Sequence, residues 1–123
     1  MSGARQLEGL SVLVLEDNFY IADESRRTLE KAGARVLGPC SDLADPLEAL
    51  QAERPDCALV DVNLGDGPTF APARALAAAE VQIVLVTGYD AAIIPADLKD
   101  TLCLQKPVAA HRLVSGVALA CHR

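Results

Sequence analysis

Residues 10–17, Leu10-Ser11-Val12-Leu13-Val14-Leu15-Glu16-Asp17, decide how this chain is read. A short run of Leu and Val with one small polar interruption is what a central strand of a parallel sheet looks like, because both its faces are buried. It ends abruptly in two acids. The same device recurs three times: Cys57 to Val60 is followed by Asp61 and Asn63, Gln82 to Val86 by Thr87, and Leu102 to Leu104 by Lys106-Pro107. Between these runs lie helical patterns. From Phe19 to Ala32 the apolar positions Phe19, Ala22, Leu29 and Ala32 are spaced for one helix face, and Gly33 stops it. Asp42 to Gln51 and the Ala-rich Thr69 to Ala79 also read as helices, with Pro46 and Pro72 near their first turns, where a missing N–H matters least. Arg35 to Gly38 is a shorter strand, Gly65 to Pro68 a turn, and a last helix begins near Ala109.

Alternating strand and helix with short connections predicts an α/β fold, a doubly wound five-stranded parallel sheet covered on both faces. In such a sheet the carboxyl ends of neighbouring strands open onto one crevice. Glu16, Asp17, Asp61, Thr87 and Lys106 are therefore expected to converge. Three carboxylates together repel one another unless a hard cation neutralises them, and Mg²⁺ is the usual one. A lysine and a threonine beside them are the donors that the oxygens of a transferred phosphoryl group need.

All five features, in order and each at a strand end, resemble the receiver domain of bacterial two-component response regulators, over essentially the whole chain. The resemblance implies a flavodoxin-like sheet of order 2-1-3-4-5. It implies that Asp61 accepts a phosphoryl group from the phosphohistidine of a sensor histidine kinase or a histidine phosphotransfer protein. Glu16, Asp17, Asp61 and Asn63 would hold Mg²⁺, with Glu16 acting through a water and Asn63 through its backbone carbonyl. Lys106, on a cis bond to Pro107, would meet the phosphoryl oxygens, and Thr87 would be the switch hydroxyl. Output would pass to an unidentified partner, as a single-domain regulator, a phosphate sink, a relay shuttle or the receiver of a longer protein. An aspartyl-nucleophile phosphatase also uses such an acid and Mg²⁺, but carries a second acid two residues on, where this chain has Asn63. A degenerate receiver serving only as a scaffold loses an acid or the lysine, and none is lost here.

Two stretches depart from an ordinary receiver. Where a fourth helix belongs, Asp90 to Lys99 contains Pro95, which disfavours helical geometry at Ile94 and removes an N–H, so a short or irregular helix is expected. Cys103 stands three residues before Lys106, where receivers place a switch aromatic. With Thr87-Gly88-Tyr89 this resembles the FATGUY subgroup, although Gln82, Ile83, Leu85 and Val86 replace the rest of its motif.

Composition agrees with a receiver. The 123 residues suit one domain, and about half are apolar, enough for a packed core made mostly of Val, Leu, Ile and Ala. A net charge of −6 argues against non-specific nucleic-acid binding. The start is polar and no apolar run approaches the ~20 residues of a membrane span, so a cytoplasmic location is expected. Cys40, Cys57, Cys103 and Cys121 have no metal or redox spacing and are expected to be free thiols. His111 and His122 read as polar residues on the last helix.

Overall fold

The computed structural model describes residues 6–40, 53–63, 68–88 and 91–122. Five strands, β1 (Ser11–Leu15), β2 (Arg35–Cys40), β3 (Cys57–Asp61), β4 (Gln82–Thr87) and β5 (Leu102–Gln105), form one parallel sheet in the order β2-β1-β3-β4-β5. The register aligns their carboxyl ends: Leu15 lies opposite Val60, Asp61 opposite Val86, and Thr87 opposite Gln105. That alignment turns four residues far apart in sequence into one rim.

Each strand feeds two cores, because successive side chains point to opposite faces. Val12, Val14, Leu59, Val84 and Val86 pack on one face with Leu29 of helix α1 (Phe19–Lys31) and with Leu113 and Val117 of helix α3 (Ala110–Cys121). Leu13, Leu15, Val60, Ile83 and Leu85 pack on the other with Leu76 of helix α2 (Ala71–Ala78) and with Ile94 and Leu98. Every residue of β1 and β3 is buried, which explains their unbroken apolar runs.

Helix α1 starts at Asn18, whose side-chain oxygen accepts the Ile21 N–H at 3.1 Å, an N-cap. Ala22, Leu29 and Ala32 are buried as their spacing predicts, but Phe19 is 73% exposed. At the first helical position no preceding turn directs Phe19 inward; its ring instead meets Tyr20 edge-on, with centroids 5.7 Å apart. The chain leaves α1 through Gly33 at φ +104°, and a Cβ there would lie 2.7 Å from Glu8 Oε2 and 2.9 Å from Glu8 Cα. Both the backbone angle and the space demand glycine. Gly33→Ala is expected to lower unfolding free energy by about 2 kcal/mol, read as a lower urea midpoint at unchanged slope. An unmoved midpoint would mean that the Glu8 turn yields freely.

Where the fourth helix was expected to fail, it does. Two single 3₁₀ turns, Ala91–Ile93 and Ala96–Leu98, flank Pro95. Arg74 of α2 grips Asp97 through Nε at 2.9 Å and Nη2 at 3.1 Å, while Ile94 and Leu98 are buried. The helix expected over 42–51, the turn at 65–67 and Tyr89 lie outside the described residues.

Candidate functional site

Asp61 is the last residue of β3 and only 2% exposed. A carboxylate so deeply buried needs partners. Its Oδ2 lies 2.8 Å from Lys106 Nζ, and its Oδ1 accepts the Asn63 N–H at 2.9 Å. Glu16, immediately after β1, is also buried. Its Oε1 is 3.6 Å from the same ammonium, and its Oε2 accepts the Asn18 N–H at 3.1 Å. Asp17 is exposed at the rim. One carboxylate oxygen from each of Glu16, Asp17 and Asp61 lies within 4.8 Å of the other two.

The electrostatics leave this cluster short of positive charge. Three carboxylates face one ammonium. Burial pushes the Glu16 carboxyl up to about 7, reinforced by a hydrogen bond with Asp61. Lys106 is pulled both ways: burial works against its charge, but Asp61 and Glu16 outweigh that and raise it, so it stays an ammonium. A small divalent cation fits the remaining deficit. The donors are hard oxygens, the kind that Mg²⁺ takes, and all three lie within 4.8 Å of one another.

Backbone pairing sets the rest. The Lys106 N–H donates to the Thr87 carbonyl at 2.8 Å, and the Lys106–Pro107 bond is cis. Thr87, ending β4 beside β3, is 1% exposed. Asn63 is exposed and joined to Asp61 through its backbone N–H. Glu16, Asp17, Asp61 and Lys106 thus meet directly, while Thr87 and Asn63 are tied to them through the chain. Cys103 sits half-buried on β5.

Sequence reasoning passed over Asn18, which both caps α1 and holds Glu16. The signal was present: an Asn directly before a helix-periodic run is an N-cap signature. From this rim a crevice of about 590 Å³ runs between α1 and α3, polar at Glu16, Asp61 and Lys106, with Val14, Leu59 and Leu113 on its floor. His111 and His122 are both exposed.

Known proteins share this fold. The model of the response regulator receiver domain matches residues 12–118. Among curated proteins, the sensory transduction protein LytT of Bacillus cereus is 32% identical over 109 residues, covering 85% of this chain and 44% of LytT, and that of Bacillus anthracis is 31% identical. The chain thus spans less than half the length of these relatives. Among solved structures, the receiver domain of a modulated diguanylate cyclase from Desulfovibrio desulfuricans is 32% identical, with a TM-score of 0.80 over 92% of this chain and 94% of that one. The receiver of the putative response regulator NarL from Mycobacterium tuberculosis is 25% identical, with a TM-score of 0.80 over 94% of this chain and 98% of that one.

Proposed function

Because this chain belongs to the response regulator receiver domain family, the signalling modules of two-component systems, we propose that Asp61 accepts a phosphoryl group from a phosphohistidine. The donor would be a sensor histidine kinase or a histidine phosphotransfer protein in the cytoplasm. The observation that carries this reading is Asp61 itself: a buried carboxylate at a strand end, 2.8 Å from Lys106 and grouped with two further acids. An Asp oxygen attacks phosphorus in line, the P–N bond of the phosphohistidine breaks, and its electron pair stays on the imidazole. A carboxylate is a weak nucleophile, so alignment and charge neutralisation supply the rate.

Glu16, Asp17, Asp61 and Asn63 would hold the cation, Glu16 through a water and Asn63 through its carbonyl. Mg²⁺ would neutralise charge on the phosphoryl oxygens. Lys106 turns from Asp61 to a phosphoryl oxygen once the acyl phosphate forms, and the Thr87 hydroxyl swings toward another. That movement would carry Gly88 and the adjoining 3₁₀ segment with it, since a flip at Cys103 cannot report the state. A shift of a few kcal/mol is enough for such a two-state surface. The match of Thr87-Gly88-Tyr89 and the broken fourth helix support the FATGUY reading.

Asn63 argues against a phosphatase acting on outside esters, which needs an acid there. Intact acids and lysine argue against a pure scaffold. Among the described residues no helix is long and apolar enough to cross a membrane, and the net charge of −6 speaks against direct nucleic-acid contact. Incubation with acetyl phosphate is expected to add a single phosphoryl group by intact mass with Mg²⁺, and none with EDTA. No addition under either condition would leave a scaffold; steady release of p-nitrophenol from its phosphate would instead favour the phosphatase.

A further inference from the structure

The phosphoryl chemistry uses only the mouth of the crevice between α1 and α3. Short side chains on its walls leave the rest open: Ser25 and Thr28 on α1, Ala109 and Ala110 where α3 begins. Its volume of about 590 Å³ falls within the roughly 300–1,000 Å³ of small-molecule sites. Val14, Leu59 and Leu113 on the floor are at most 6% exposed, so water wets it poorly. The lining is charged as well as apolar. Among the described residues that line it, three carboxylates, Glu16, Glu24 and Asp61, stand against one ammonium, Lys106. That ammonium is 2.8 Å from Asp61 and 3.6 Å from Glu16, which leaves negative charge in excess toward Glu16 and Glu24.

We propose that this crevice is a binding site for an amphiphilic cation, a small molecule with a primary ammonium on an apolar body, which occupies it in competition with Mg²⁺. The ammonium meets the excess carboxylate charge of Glu16 and Glu24, and the body lies on Val14, Leu59 and Leu113. Other classes of small molecule satisfy one requirement and fail the other. A neutral apolar molecule covers the floor and leaves the acids uncompensated. An inorganic cation compensates the acids and leaves the floor bare. An anionic head meets like charge from three carboxylates. An apolar body entering a poorly wetted site has little water to displace, so the gain comes from contact with the floor. Glu16 and Asp61 belong both to this crevice and to the acid cluster that suits a divalent cation. Each occupant therefore lowers the apparent affinity of the other. The bound amine would hold the protein in a state that takes up no phosphoryl group. Binding rests on the crevice alone; only this last consequence rests on the reading of Asp61 as acceptor.

The probe is phenethylamine, with phenethyl alcohol as its uncharged counterpart and phenylpropionate as its anionic one. Titrated into the protein in EDTA and followed by methyl NMR, the amine is expected to shift Val14, Leu59 and Leu113 with a Kd on the order of 5 mM. The alcohol and the acid are expected to bind at least about tenfold more weakly. In a Mg²⁺ titration without EDTA, amine at twice its Kd is expected to raise the apparent Mg²⁺ Kd about threefold. Glu24→Lys, at an exposed position, is expected to fold and to weaken the amine about fivefold. Ser25→Phe fills the crevice from its wall and is expected to abolish the shifts. Both variants are expected to keep phosphoryl uptake from acetyl phosphate, which separates a failure of this site from a failure of Asp61 as acceptor. Equal binding of amine and alcohol, shifts confined to the exposed Phe19, Tyr20 and Leu119, or an unmoved Mg²⁺ Kd would each overturn the proposal.

Discussion

Asp61→Asn is expected to reduce phosphoryl uptake from acetyl phosphate by at least about 10³-fold, to the background of the method. An amide cannot form an acyl phosphate, so the loss is chemical. The fold is expected to survive, because Asn is isosteric and its side-chain oxygen can keep the Asn63 N–H bond now made to Asp61. Removing one of three clustered acids also removes repulsion. The control is a denaturation curve at least as stable as that of the wild type in EDTA. Undiminished labelling in the variant would place the acceptor elsewhere, His111 and His122 being the exposed candidates.

Glu16→Gln is expected to separate stability from metal binding. The folded Glu16 carboxyl sits at about 7 against an ordinary 4.5. The folded state therefore holds a proton that the unfolded state has released between those values. Stability in EDTA falls as pH rises from 4.5 to 7 and levels off above, with a ceiling of about 3 kcal/mol for this group. Gln mimics the protonated acid at every pH. The variant is thus expected to match the wild type at about pH 4 and to exceed it by about 2 kcal/mol at pH 8, both by urea unfolding in EDTA. With saturating Mg²⁺ the lead shrinks by about 1.4 kcal/mol, since an amide replaces an anionic donor and affinity falls about tenfold. Equal stabilities at pH 8 would show that Glu16 is ionised at no cost.

The gain from losing an acid, and the function it would remove, have one origin. Buried carboxylates at strand ends are kept where they are wanted for a cation, against the stability of the metal-free fold. That conflict is what made the site legible in sequence. Apolar runs ending in Glu16-Asp17 or Asp61 are locally unfavourable, and the parallel topology alone brings them together. The strands were legible because β1 and β3 are buried on both faces, and Pro95 announced the broken helix. Phe19 was misread because helical spacing says which face a residue joins but not whether the first turn is covered.

The most direct measurement is to trap the acceptor. After incubation with Mg²⁺ and acetyl phosphate, borohydride reduces an aspartyl phosphate to homoserine, and peptide mass spectrometry reads the position. Homoserine at position 61, absent without Mg²⁺, is the expected result. Homoserine at position 17 instead, or a phosphoryl group that resists borohydride and maps to His111 or His122, would contradict the account.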